Sequence, residues 1–280
     1  MTRLAVLGSP ISHSLSPTIH RAAYELLGLD WRYDAIEVKE GGLRRFLNSC
    51  DSDWRGLSLT MPLKAEAITV CGEADALALQ VGGANTITWN GSKTKAHNTD
   101  VAGFSSALKN AGIRRVDSVA ILGGGATARA AVAAATEFSN EITVFLRNSK
   151  RSEGLRRAVG DSGAELVLAP WSQIAHGLTA PLVISTTPKG ATDSYVDQLP
   201  ITPGLLFEAL YDPWPTALVS AWSSKGAQVL GGLDLLVEQA IEQIKLFAPE
   251  IELADATKLR EVMLSAGRVE LLARNSGSPR

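Results

Sequence analysis

Lys64 and Asp100 carry side chains suited to moving a proton, and each sits where a strand-like apolar run gives way to a helix-like one. Lys64 closes the run Thr60-Met-Pro-Leu-Lys64, with proline at a helix start, and Asp100 closes Asn98-Thr-Asp100. In an open α/β sheet such junctions fall at the strand ends, where ligands lie. If the two side chains meet, the carboxylate holds a lysine ammonium in place as a proton donor. Ser14, Ser16, Thr60, Asn85 and Thr86 stand at comparable junctions, so that a sheet delivers all of these groups to one edge. Taken singly, each has an ordinary structural use. Lys64 reads as a surface lysine, Asp100 and Ser16 as helix caps, and Asn85 and Thr86 as turn and strand residues. Their joint occurrence is what points to a site.

A second motif comes later. Val119-Ala-Ile-Leu-Gly-Gly-Gly-Ala-Thr-Ala-Arg-Ala130 reads as strand, tight turn and helix. Gly123 permits the turn and Gly125 lets backbone approach a pyrophosphate. Ala126 opens the helix whose exposed amides favour negative charge, and Ala128 lets that helix pack closely on the strand. A dinucleotide is the expected ligand, against a plain αβ turn built of small residues. An NAD site places an acid about 20 residues beyond the turn. Here that position reads Leu146-Arg147-Asn148-Ser149-Lys150-Arg151, with no acid. Arg147, Ser149 and Arg151 offer charge-assisted and hydroxyl donors to a 2′-phosphate, which favours NADP over NAD.

The elements that must position these groups alternate between strand and helix almost throughout, the pattern of an α/β fold. In the first part Leu4–Leu7, Tyr33–Val38, Leu57–Thr60 and Ala84–Trp89 read as strands. Asn90-Gly91 predicts a hairpin pairing Ile87–Trp89 with Lys93–Ala96, so the first sheet is mixed. Helices are expected from Ser16-Pro17 to Gly28, with Ser16 as cap, from Gly42 to Asn48, and in pieces from Lys64 to Val81. Beyond the helix that starts at Val101, six strands (119–122, 142–146, 165–168, 182–185, 205–208 and 228–230) form a more regular array. Helices at Leu235–Phe247 and Ala254–Arg274 end the chain before a tail, Asn275–Arg280, that reads as disordered. The 280 residues suit two domains, 1–102 plus 235–280 and 103–234.

Composition excludes several classes. With 45% hydrophobic and 20% charged residues the chain reads as globular, and a net charge of −2 gives no basic field for nucleic acid or anionic membrane. Cys50 and Cys71 lack partners at zinc-ligand spacing, and the four histidines are scattered, so neither a disulfide framework nor a metal is expected. The apolar run Leu4–Leu7 is too short for a signal sequence, and nothing approaches the ~20 apolar residues of a membrane span. A cytoplasmic setting is the simplest expectation.

Six segments together carry a resemblance: Gly8-Ser-Pro-Ile-Ser-His-Ser-Leu-Ser-Pro17, Leu59-Thr-Met-Pro-Leu-Lys64, Gly83-Ala-Asn-Thr86, Asn98-Thr-Asp100, Tyr211-Asp-Pro-Trp-Pro-Thr216 and Leu235-Leu-Val-Glu-Gln239. In type and order they resemble the shikimate dehydrogenase family across nearly the whole chain. The proline-tryptophan-proline segment and Ser185-Thr-Thr-Pro188 resemble its actinobacterial branch. The resemblance implies a mixed-sheet substrate domain and a Rossmann-like NADP domain flanking a cleft, with the final helices returning to the first domain. It implies NADPH-dependent reduction of 3-dehydroshikimate to shikimate, a step toward chorismate and the aromatic amino acids, by a monomer or homodimer.

Carried onto this chain, the resemblance makes Lys64 and Asp100 the catalytic pair. Ser14 and Ser16 would take the substrate carboxylate, and Thr60, Asn85 and Gln239 its ring hydroxyls, with Tyr211 nearby. Gly123, Gly125, Ala126, Ala128, Arg147, Ser149 and Arg151 would hold the cofactor. Three positions depart from the family pattern: Ser58 stands for a common Asn, Leu146 for an Asn before the phosphate-binding arginine, and Ser185 for a frequent Asn near the nicotinamide. Two rivals stay open: a quinate/shikimate dehydrogenase using NAD, and a non-catalytic shikimate-binding regulator.

Overall fold

A computed structural model describes residues 1–91, 93–253 and 255–276. The chain forms two compact units, Met1–Thr99 with the chain from Leu236 onward, and Asp100–Leu235. The sequence suggested breaks at 102/103 and 234/235. The first falls earlier because Asp100–Asn110 is one continuous helix.

In the first unit the elements are β1 (Thr2–Gly8), α1 (Ser16–Leu26), β2 (Trp31–Glu37), α2 (Leu43–Asn48), β3 (Trp54–Leu59), α3 (Lys64–Val70), β4 (Glu73–Ala74), α4 (Ala76–Val81), β5 (Thr86–Asn90) and β6 (Lys93–His97). The sheet order is β2-β1-β3-β5-β6-β4. β1 is parallel to both β2 and β3, while β3–β5 and β5–β6 are antiparallel, so the sheet is mixed as expected. β4 was not foreseen: two residues leave no periodicity, and only its parallel pairing with β6 defines it. The hairpin is present, but Asn90 pairs with Lys93, so Asn90 is the last rung of the ladder rather than part of the loop.

Central strands are covered on both faces and therefore read as continuous apolar runs. On one face Ala5, Leu7, Leu57, Leu59 and Ile87 pack with Leu43, Leu63, Ala67 and Ala78 of the α2, α3 and α4 region. Side chains alternate along a strand, which sends Gly56 to the opposite face. There a Cβ would lie 2.2 Å from the ring of Phe247, so only glycine admits that ring against β3.

The second unit contains α5 (Asp100–Asn110), β7 (Val119–Leu122), α6 (Ala126–Ala135), β8 (Glu141–Leu146), α7 (Ser152–Ala158), β9 (Glu165–Pro170), α8 (Ile174–Gly177), β10 (Leu182–Ser185), β11 (Leu205–Glu208), α9 (Ala217–Ser224) and β12 (Val229–Leu230). Its sheet is parallel throughout, in the order β12-β11-β10-β7-β8-β9. The order reverses at β7, which leaves a crevice beyond the strand ends at that point. The alanine-rich α6 is almost wholly buried, and its small side chains let it pack against α5 and β7.

α10 (Gly232–Phe247) and α11 (Ala256–Asn275) return the chain to the first unit, where α11 packs on α1. Asn275, placed in the tail by the sequence reading, ends α11, and residues 277–280 lie outside the described residues. Cys50 and Cys71 are both free thiols. Among the described residues no helix is long and apolar enough to cross a membrane.

Candidate active site

Ladder hydrogen bonds of the first sheet continue one residue past its strands. Thr60 N–H donates to Leu7 O (2.9 Å), Leu59 N–H to Asn85 O (2.7 Å) and Asn85 N–H to His97 O (3.0 Å). Thr60, Asn85 and Asn98 therefore stand along one edge. Because β5 runs antiparallel to its neighbours, it reaches that edge with its start, whereas β3 and β6 reach it with their ends.

Asn85 is the hub of this edge and is 1% exposed. Its Nδ2 donates to Gln239 Oε1 at 2.7 Å and to Thr99 Oγ1 at 2.9 Å. Its Oδ1 accepts from Thr99 N at 2.8 Å and Thr86 Oγ1 at 3.0 Å. A buried primary amide with both protons and its oxygen engaged has one orientation. Asn98 Nδ2 donates to Gly83 O at 2.7 Å, which ties the end of β6 to the segment before Asn85. Lys64, half-buried at the start of α3, is fixed to the same segment through its carbonyl, which accepts from Ala84 N–H at 2.8 Å.

The Ser14–Ser16 segment follows β1. Ser16 does not cap α1: the cap position is Leu15, without a side-chain bond, and the Ser16 amide donates instead to Ser14 Oγ at 3.2 Å. Ser16 itself is buried, 7% exposed. Arg274 of α11 anchors the segment by donating to His13 O (2.8 Å) and Ser14 O (3.4 Å).

Behind these residues runs a buried polar chain that sequence reasoning missed. Tyr33 OH donates to Ser58 Oγ (2.7 Å) and Ser58 Oγ donates to Gln243 Oε1 (2.8 Å). His20 Nε2 reaches the same oxygen (3.1 Å), Tyr24 OH reaches His20 Nδ1 (3.2 Å), and Gln243 Nε2 lies 3.4 Å from Asn85 O. Burial drives the His20 pKa down to about 3, against the raising effect of Gln243, so the imidazole is neutral. Burial likewise pushes the Tyr33 phenol up. The departure at Ser58 thus has a structural use, since the shorter side chain takes part in this chain. Gln243 was detectable as the residue one helical turn beyond Gln239.

In the second unit, the predicted strand, turn and helix are present. Gly123 has φ +117°, and a Cβ there would meet Thr186 Oγ1 at 2.6 Å; Gly125 is the N-cap of α6. Arg151 lies along the turn, its Cδ 3.4 Å and its Nη1 3.8 Å from where Cβ atoms of Gly124 and Gly125 would be. Ala126 begins α6, and Ala128 is fully buried beneath it. Leu146 contributes packing, 3.5 Å from the Cβ position at Gly124. Arg147 lies over the Trp171 ring at 5.7 Å, and Ser149 is exposed in the short 149–151 turn.

Arg129 was missed. It is half-buried on α6, and burial first, then the like charges of Arg157 and Arg151, lower its pKa. A lone cation one turn into an alanine-rich helix was the available signal. A glycine turn whose position 123 admits no side chain, a helix N-terminus and clustered arginines fit a dinucleotide with an extra phosphate.

Glu208 ends β11 and is 1% exposed. Burial pushes its carboxyl up to about 7, opposed by hydrogen bonds from the Leu210 amide and the Ser185 and Thr216 hydroxyls. Half-buried Tyr211 follows it in this second unit. By the same division Lys64 falls in the first unit and Asp100, 2% exposed, in the second.

One unit with a mixed sheet edged by polar groups, and another with a parallel sheet and a glycine turn at its reversal point, define a two-domain α/β protein of the dinucleotide-binding type. Residues 6–87 match the model of the shikimate dehydrogenase substrate binding domain. The shikimate dehydrogenase (NADP(+)) of Ignicoccus hospitalis is 32% identical over 249 residues, 87% of this chain and 92% of that one. The crystal structure of Mycobacterium tuberculosis shikimate dehydrogenase has a TM-score of 0.85 at 34% identity, covering 96% of this chain and 100% of that one. The Thermus thermophilus shikimate 5-dehydrogenase in complex with NADP(H) and shikimate has a TM-score of 0.81 at 29% identity, covering 96% and 99%. The chain belongs to the shikimate dehydrogenase family.

Proposed function

We propose that this chain catalyses the reversible NADPH-dependent reduction of 3-dehydroshikimate to shikimate, in the cytoplasm. The observation that carries this reading is the single sheet edge on which Thr60, Asn85 and the Lys64 backbone are tied together, with Gln239 bonded to Asn85. Ser14 and Ser16 bind the substrate carboxylate. Thr60, Asn85 and Gln239 bind the ring hydroxyls; with its oxygen held by Asn85, Gln239 presents its amide protons, a donor matched to a hydroxyl oxygen. Tyr211 serves the same substrate.

Lys64 is the proton donor to the C3 carbonyl oxygen, and Asp100 is the other member of the catalytic pair. Gly123, Gly125, Ala126 and Ala128 admit the pyrophosphate, and Arg147, Ser149 and Arg151, joined by Arg129, hold the 2′-phosphate. Bound NADPH supplies the hydride, which is the chemistry of the cofactor. The protein contributes orientation, charge and exclusion of water.

The test is NADPH consumption with 3-dehydroshikimate, in the native chain and in Lys64→Ala. The expected result is turnover in the native chain and a fall in kcat of about 10²–10⁴-fold in the variant, with shikimate still bound. Native-level turnover in the variant would remove Lys64 from proton transfer. Preference for NAD and quinate would replace this reading with the catabolic one, and binding without turnover by the native chain would favour a regulator.

A further inference from the structure

Between two buried anchors the chain after β1 comes to the surface. Ile11 is 7% exposed and Leu15 fully buried, while Ser12 and His13 are exposed and Ser14 is half-buried. The near end of this segment is tied to the β3–α3 turn, where Ser9 N–H donates to Met61 O at 3.0 Å. Its far end turns on itself. Ser14 N–H donates to Ile11 O at 3.0 Å, and the Ser16 amide donates to Ser14 Oγ at 3.2 Å. A serine oxygen that accepts from an amide still has its proton to give, and a carboxylate has only acceptors. Ser14 is thus set to donate, provided that its backbone stays in place.

Arg274 reaches this backbone from 260 positions away, out of the last turn of α11, which packs on α1. All three guanidinium nitrogens are engaged. Nε donates to Glu270 Oε1 at 2.9 Å, Nη1 to His13 O at 2.8 Å and Nη2 to Ser14 O at 3.4 Å. Glu270 stands one turn earlier on the same helix and is 8% exposed, so its carboxylate holds the guanidinium plane against α11. The two remaining arms grip successive carbonyls, a fixed spacing that a rigid planar cation matches and a flexible ammonium does not. Carbonyl oxygens also repel a carboxylate. Bonding both to the guanidinium turns their negative ends to α11. A segment ordered beforehand costs less to order when a ligand arrives, so this grip favours affinity rather than the chemical step.

We propose that Arg274, oriented by Glu270, is a positioning residue that orders the His13–Ser14 backbone for a ligand carboxylate, so that the end of the C-terminal helix sets substrate affinity. This rests on the reading of Ser14 as a carboxylate contact, and the experiment separates the two.

The experiment titrates the intact protein with shikimate and measures kcat, the Kd for NADPH and the Tm beside it. Arg274→Lys keeps the charge, the Glu270 partner and the helix end, but loses the planar fork. Arg274→Gln loses the charge as well. Both should raise the Kd for shikimate about five- to tenfold, with kcat and the Kd for NADPH close to native. Adding Arg274→Gln to Ser14→Ala should cost little beyond Ser14→Ala alone, because the arginine acts through that serine.

Native shikimate affinity in Arg274→Lys, beside a weakened Ser14→Ala, overturns the proposal, since charge alone would then suffice. Losses that multiply in full in the double variant overturn it too, as does a fall in kcat and NADPH affinity alongside that for shikimate. Native affinity in Ser14→Ala overturns the carboxylate reading, and the proposal with it. Absence of turnover in the native protein would sink the dehydrogenase reading alone, because the titrations decide the role of Arg274 without it.

Discussion

Asn85 and Gln239, 154 positions apart in the chain, meet through a 2.7 Å hydrogen bond from the asparagine amide to the glutamine oxygen. The bond joins the start of β5 to α10, and so connects the first hundred residues to the returning C-terminal helices. Removing Gln239 leaves Asn85 Nδ2 its second acceptor, Thr99 Oγ1. Gln239→Ala should accordingly cost only about 1 kcal/mol of stability. Its shikimate affinity should fall about tenfold with NADPH affinity unchanged, as read by thermal unfolding and two binding titrations.

Arg129 is half-buried beside Arg151 and Arg157, an arrangement that favours an anion among them. A charge-assisted hydrogen bond is worth about 1.5–3 kcal/mol. Arg129→Gln should weaken NADPH about 10- to 100-fold and leave NADH nearly unaffected. Equal losses for the two cofactors would detach Arg129 from the 2′-phosphate.

At Gly123 a methyl group meets both a positive φ and Thr186 Oγ1. Backbone strain of about 1–2 kcal/mol adds to the steric clash. Gly123→Ala should lower the Tm and abolish measurable dinucleotide binding. Thr186→Ser keeps the hydroxyl that donates to Leu122 O at 3.0 Å and should bind normally.

Glu208 predicts a pH dependence of stability. Its carboxyl titrates at about 7 when folded, against an ordinary 4.5. Between those values the folded protein holds a proton that the unfolded chain has released, so this residue makes stability fall as pH rises from 4.5 to 7. Above pH 7 the full penalty, up to about 3 kcal/mol, is present. Glu208→Gln should therefore gain Tm relative to the native protein at pH 8, and much less at pH 5. An identical difference at both values would show that Glu208 carries no buried charge.

His20 acts in the opposite sense. Its folded value of about 3 lies below the ordinary 6.5, so its contribution is complete above 6.5 and is lost as pH falls toward 3. Replacing His20 with Gln should flatten the acid limb of a Tm–pH curve over that window.

Local chemistry explains why so much could be read from the chain alone. Apolar runs of Leu, Val and Ile mark central strands wherever helices cover both faces, as in β1, β7 and β10. Glycine at 123 and the small residues after it announce a turn whose geometry excludes side chains. Asn98-Thr-Asp100 and Thr60 to Lys64 announce junctions because strand and helix periodicities change there. These are properties of neighbours in sequence, and they gave the fold class and the junctions that carry the site, while the family came from the resemblance of six motifs taken together.

What folding added depends on residues far apart. β4 exists only through its pairing with β6, and the use of Ser58 only through Tyr33 and Gln243. Arg129 gains its meaning from Arg151 and Arg157 on another element. A hydrogen bond or a charge acts over a few ångströms, and no pattern of spacing along one strand or helix records which distant side chain will lie within that reach.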